Sequence, residues 1–385
     1  MLMGSENVSI NYVELGHLGR SSKQLPADDT VFNDDGSVQS IGSNPRARYP
    51  LHFHRAGFDS MPATVNGSAV FFGPGWGFVN HGSHVDMSDN VAYGVAGASF
   101  VTERGDEQGS FTGNFSAGSY GGSNTKWHKR GGIEDFGHTG NGFWFQGLNI
   151  TVNDNIASGC DDACFNFVAK GIDGISDRTV SEQRIIAFNN NTAYNSSLGL
   201  KMWGMRNGSI INNFKAYAVN TGVINSMTRY HTYNGTVLVA AETADTGSSA
   251  GYNTGTGLSA GYKSRSFTYR NSYIVGFGTG LAMPWGDGGT VENGYFDNDT
   301  DIEITPTGFT RTYAYNIKGD ITFANDLYNI AFSYNNGKLE KRRHLYSVRS
   351  INLDIESMGN KYEAYDFSQA AGYVPFTSYD PGGAG

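Results

Sequence analysis

An asparagine followed by a small or aromatic pair returns at a steady interval along this chain. The blocks read Asn90-Val-Ala-Tyr93, Asn155-Ile-Ala-Ser158, Asn191-Thr-Ala-Tyr194 and Asn213-Phe-Lys-Ala-Tyr217, with Asn271-Ser-Tyr273 and Asn293-Gly-Tyr295 as looser continuations. Asn90 to Asn114 is 24 residues, Asn191 to Asn213 is 22 and Asn271 to Asn293 is 22. A fixed period of this size, one supersecondary unit per repeat, is the signature of a solenoid. The 36 residues between Asn155 and Asn191 fit a rung that carries an inserted loop.

Composition decides what the repeating unit is. Only 16% of the 385 residues are charged, while 53 are Gly, 24 Phe and 22 Tyr, so aromatic runs alternate with turn formers and long helices are disfavoured. The chain is therefore expected to be all-β, a single-stranded parallel β-helix with inserted loops. Asn tolerates the left-handed backbone of sharp turns, and stacked Asn side chains can bond from rung to rung. Runs such as Gly142-Phe-Trp-Phe-Gln146 and Ser209-Ile-Ile-Asn212 supply the buried stripe. A β-sandwich is the rival, supported by Asn66-Gly67, Asn207-Gly208 and Asn234-Gly235, but the long period favours the helix. The expected organisation is a β-helix over 1–310, with long loops at 16–47, 116–138 and 240–264, then closing coils or a cap over 311–385. Insertions in solenoids tend to collect on the binding face.

The segment Arg48-Tyr49-Pro50-Leu51-His52-Phe53-His54-Arg55 reads as one strand. Alternation turns Leu51 and Phe53 to a core and brings His52 and His54 out together, flanked by Arg48 and Arg55. His81 and His84 follow about one rung later, and Glu103 and Glu107 about one rung after that. Stacked rungs lie about 5 Å apart, so His52, His54, His81 and Glu103 are expected to converge on one patch. His84 is expected to be a structural histidine bonded to a turn carbonyl. A divalent metal on His52, His54 and His81 is a candidate cofactor: imidazole with carboxylate suits Zn²⁺, whereas Ca²⁺ prefers oxygen ligands.

The net charge of −9 argues against nonspecific nucleic-acid binding, while local basic groups still suit an anionic ligand. Lys129 and Arg130, around Trp127, form a second such group after Arg48 and Arg55. No apolar run reaches the length of a membrane span, and Met-Leu-Met-Gly-Ser shows no signal peptide, as expected of a segment of a longer protein. Cys160 and Cys164 are expected to be unpaired thiols. Asp161-Asp162 between them is expected to be a turn, and the tryptophans Trp76, Trp144, Trp203 and Trp285 core rather than sugar platforms.

Several blocks, in order and at similar spacing, resemble the CEMIP-like cell-surface hyaluronidase family. They are Val8-Ser-Ile-Asn-Tyr-Val-Glu14, the strand at 48–54, Asn80-His81-Gly82-Ser83-His84, Asn90 to Tyr93, Gly97 through Glu107, Phe143-Trp144, Asn155 to Gly159 and Asn191 to Leu200. The likeness spans roughly the first half of the chain and does not include the family's glycine-rich domain. It implies a right-handed β-helix, at the cell surface or secreted, that binds or cleaves hyaluronan or a similar polysaccharide. Ala98 and Tyr194 stand where the family tends to carry His.

Two chemistries then compete for an acidic polysaccharide. Hydrolysis, as in a hyaluronidase-like glycosidase, needs two carboxyl groups, for which Glu103 with Glu107 or Asp106 are candidates. A lyase needs the uronate charge neutralised and a base, for which His52, His54 and Arg48 are candidates. Arg55, His81, Lys129, Arg130 and Trp127 are the expected substrate-binding residues. A non-catalytic carbohydrate-binding or adhesive module of a larger surface protein is the alternative, and the oligomeric state is open.

Overall fold

The computed structural model describes residues 2 and 8–350, apart from 20, 23–24, 59–60, 122–128, 131–132, 135–136, 242–254, 262–263, 283–288, 304–313, 324–325, 329–330, 336–338, 342–344 and 347–348. Within it, thirty-one strands join in a single hydrogen-bonded sheet that winds on itself. Every pairing in that sheet is parallel, and each strand pairs with strands of the coils before and after it, for example Phe78–Ser88 with both Leu51–Gly57 and Ala98–Thr102. This is a parallel β-helix. Parallel coil pairing continues through Ala314–Phe323 and Ala331–Asn335 to Arg349–Ser350. Among the described residues the helical content is one short turn of α-helix, Asp177–Ser181, capped by the Ser176 side chain.

The inward stripe explains why the coils stack. In register, Leu51, Phe78, Phe100, Phe143, Phe165, Leu200, Val223, Leu258, Leu281 and Ile302 succeed one another along the axis. The four phenylalanines stack nearly face to face, with centroids 4.9, 4.8 and 4.8 Å apart. Strand spacing sets that separation, and each fully buried ring contributes about 1.5–3 kcal/mol.

Asparagines mark two further stripes. Asn90, Asn114, Asn155 and Asn191 are wholly buried, and each of the first three donates its backbone and side-chain N–H groups to the side-chain oxygen of the next at 2.9–3.1 Å. Asn213 does not continue this ladder, because Thr192 pairs with Lys215 and so Phe214 takes the place after Asn191. Asn189, Asn212, Asn234, Asn271 and Asn293 form a second ladder, each amide donating to the preceding side-chain oxygen.

Insertions decorate the coils. The segment at 16–47 carries the antiparallel pair Val31–Phe32 and Val38–Ser40, and that at 116–138 carries Lys129–Arg130 with Ile133–Glu134. Most of 240–264 and Trp285 lie outside the described residues. The thiols of Cys160 and Cys164 are free and buried. Asp161 and Asp162 serve turns, accepting from the Gly121 N–H and the Thr139 hydroxyl. Trp76 and Trp144 are core, and Trp203 is partly buried. No helix among the described residues is long and apolar enough to cross a membrane.

Candidate functional site

Alternation in Leu51–Gly57 sends Leu51 and Phe53 into the main core and His52 and His54 to the opposite side of the sheet. That side is not bare, which corrects the expectation of an exposed pair. Tyr49, Trp76, Val79, Val101 and Trp144 form a second apolar layer over it, held in part by the Trp76 indole N–H donating to the Gly137 carbonyl. His52 lies under this layer with no exposed surface, and its Nδ1 pairs with the Ala47 carbonyl at 3.0 Å. His52 thus takes a buried, carbonyl-bonded position, and His84 is half-buried.

His54 stands directly below His81 in register, their rings stacked at 4.4 Å. Glu103 follows on the next coil, its N–H donating to the Asn80 carbonyl. The His81 Nδ1 meets Glu103 Oε2 at 2.9 Å, and its Nε2 meets Asp173 Oδ2 at 3.1 Å. His52 lies 5.2 Å from His54 and 6.0 Å from His81, ring to ring. One nitrogen from each of the three rings falls within 4.8 Å of the others.

Arg55 is re-aimed by the backbone. The strand carries one extra residue between His54 and Gly57 relative to its partner, and Arg55 has φ +50. Such a bulge turns a side chain out of the alternation. The guanidinium reaches Asp173 Oδ2 at 3.0 Å, with the two side chains 51% and 40% exposed. An ion pair this open is worth under about 1 kcal/mol. Arg55→Ala is therefore expected to leave the urea midpoint nearly unchanged, and a loss of several kcal/mol would contradict that placement.

Glu107, expected to be catalytic, lies inside a turn. Its two oxygens accept from the backbone N–H groups of Gly82, Glu103, Arg104 and Gly105, and the residue is fully buried. It shapes the 103–107 turn that aims Glu103. Burial pushes its carboxyl above the usual carboxylate range, against the N–H groups of Gly82, Arg104 and Gly105. At Gly82, with φ +58, an added Cβ would lie 2.8 Å from the Arg104 side chain, so glycine is required where the strand passes this turn.

Asp173 was not among the expected site residues. It comes from the insertion between Ala163–Val168 and Ala187–Asn189, which docks on the 103–107 turn through Ile172 N–H to the Arg104 carbonyl at 3.0 Å and the Gln183 amide to the Gly105 carbonyl at 2.9 Å. The only hint in the sequence was the 36-residue gap between Asn155 and Asn191. Arg48 is exposed on the approach to the histidine strand. Lys129 and Arg130 lie in the insertion hairpin, and Trp127 lies outside the described residues.

The electrostatics split the three imidazoles. Burial pushes His52 down to about 4, partly offset by Glu103. His54 is lowered too, by burial and then by His81 and Arg55. For His81 burial opposes the charge, but the hydrogen bond and charge of Glu103, helped by Glu107 and Asp173, outweigh it and raise the value. Asp173 is held below the usual carboxylate range by His81 and Arg55, against its own burial. Burial thus favours the neutral ring at His52 and His54, while the carboxylates around His81 favour its charged form.

Comparison with known proteins agrees with the blocks in the sequence. Residues 34–200 match the family described as CEMIP beta-helix. His52, His54, His81, Glu103 and Asp173 all fall within that match. A search of the curated proteins finds no match.

Proposed function

We propose that this β-helix is an extracellular enzyme that degrades an acidic polysaccharide, hyaluronan or another uronic-acid polymer, at the His54–His81–Glu103–Asp173 cluster. One observation carries the reading: His81 stands between two carboxylates, Glu103 at 2.9 Å and Asp173 at 3.1 Å, with the His54 ring stacked on it at 4.4 Å from the adjacent coil. Structural polar groups are normally satisfied inside a fold, whereas His52 Nε2 and His54 Nδ1 are buried without a hydrogen-bond partner among the described residues. Such a cluster can take up and return a proton without stranding a charge. Arg55, exposed and bonded to Asp173, and Arg48, exposed ahead of the histidine strand, supply positive charge for a uronate.

Because the Glu107 oxygens are bonded within its turn, Glu103 and Asp173 are the carboxyl pair this reading favours over Glu103 and Glu107. Glu103 and Asp173, which meet opposite nitrogens of His81, are the remaining two carboxylates. Incubation with uronic-acid polymers is expected to give shorter chains, and Glu103→Gln or His54→Ala to lower the rate about a hundredfold or more. A rise in unsaturated-uronate absorbance marks elimination, and new reducing ends without it mark hydrolysis. If no such polymer is shortened, with or without added divalent metal, the reading fails.

A binding-only module is the second reading. It is favoured by the stacked tyrosine pairs Tyr194–Tyr217 and Tyr273–Tyr295, 5.5 and 5.2 Å apart on neighbouring coils, which suit sugar rings. It predicts glycan retention that survives the double variant Glu103→Gln/His54→Ala, without cleavage by the parent protein.

A further inference from the structure

We propose that His52, His54 and His81 form a three-histidine site for one first-row divalent ion of the Zn²⁺ class, open on the side of Asp173. The inference concerns the same cluster as the glycan-degrading reading and supplies it with a Lewis acid, so its test reads metal binding in the absence of substrate.

One ring is already set for ligation. The Ala47 carbonyl is an acceptor, so His52 Nδ1 carries the proton and Nε2 carries the lone pair. That Nε2 is buried and has no hydrogen-bond partner among the described residues. Burying an unbonded polar atom costs stability, and although His138 and His231 also hold such nitrogens, only here among the described residues do two of them stand beside a third histidine, with one nitrogen of each ring within 4.8 Å of the others. His54 Nδ1 is in the same condition one alternation away. His81 has its Nδ1 against Glu103, and a carboxylate behind a ligating histidine is the usual outer support of such centres; its Nε2, which meets Asp173 Oδ2 at 3.1 Å, joins the site by releasing its proton as the ion binds.

Dimensions fit a small ion. One nitrogen from each ring lies within 4.8 Å of the others. Zn–N bonds of about 2.1 Å need ligand nitrogens roughly 3.4 Å apart, so each must move in by less than about 1 Å. His54 has room to do so, because it is only half-buried and the bulge follows it. Three imidazoles with one open position are the donor set of a catalytic rather than a structural site. Nitrogen donors select the Zn²⁺ class over Ca²⁺, which requires a shell of oxygens. Asp173, 3.1 Å from His81 Nε2, stands where it can take the fourth position or hold a metal-bound water.

The test uses the whole chain, stripped with a chelator and titrated with Co²⁺ and then Zn²⁺. The expected result is one ion per chain, a visible absorption band of four-coordinate Co²⁺ that Zn²⁺ abolishes, and a rise in melting temperature with Zn²⁺. His54→Ala, at the half-buried rim, should fold normally and bind about a hundredfold more weakly or worse, and Glu103→Gln about tenfold to a hundredfold more weakly. His84→Ala should bind as the parent does. No Co²⁺ band, binding unchanged in His54→Ala, or equal stabilisation by Ca²⁺ would each overturn the proposal. Metal bound without cleavage of any polymer defeats the glycan reading alone; cleavage by a protein that binds no metal defeats this one alone.

Discussion

Replacing Asn155 with alanine is expected to destabilise the fold by about 4 kcal/mol, several times the cost of Asn213→Ala. The Asn155 side-chain oxygen accepts from both the N–H and the side-chain amide of Asn114, and its own amide donates to the Phe111 carbonyl and to the Asn191 side chain. All of this lies in a buried stripe where water cannot substitute. Alanine leaves the Asn114 N–H without its acceptor and Phe111 without this donor, at about 1–3 kcal/mol for each buried group, and it opens a small void besides. Asn213 occupies an exposed turn with φ +51 and makes one side-chain bond, to Asn190. Its loss costs about 1 kcal/mol, most of it the left-handed backbone that Asn tolerates and Ala resists. Urea midpoints of the two variants measure the difference; equal losses would mean that turn conformation, not the buried ladder, joins the coils.

The same asparagines show what the sequence could and could not convey. Their spacing revealed the coil, because a side chain bonded to its own copy must recur once per turn. It did not reveal that there are two ladders, since Asn213 and Asn191 look equivalent in sequence until register places Phe214 opposite Asn191. Convergence of His52, His54, His81 and Glu103 was legible because it follows from alternation within a strand and stacking between coils, both local rules. Burial of His52 was not, because the covering layer joins Tyr49, Trp76 and Trp144 from three separated segments. Glu103 and Glu107 are chemically identical in the sequence, and only the closure of a turn around one of them separates their roles. Asp173 was out of reach for a further reason: an insertion is placed by the surface it docks on, which no periodicity encodes.

Acid is expected to cost the fold about 3 kcal/mol through His231 alone, far from the histidine cluster. His231 has no exposed surface, its ring lies over Phe267 at 6.0 Å, and its Nδ1 accepts from the Ser209 N–H at 3.0 Å. Burial pushes its pKa from 6.5 down to about 4. The unfolded chain keeps the ordinary value, so between the two it binds a proton that the folded chain refuses. Stability from this residue is therefore complete above about pH 6.5, falls as pH drops towards about 4, and changes no further below that. His231→Asn retains an acceptor for the Ser209 amide without a group that titrates. Urea unfolding of both proteins above pH ~7 and near pH ~4 isolates the residue from the carboxylates they share. The parent should lose about 3 kcal/mol more than the variant across that interval, whereas parallel losses would mean that the buried ring is already protonated or leaves its pocket before the coil unwinds.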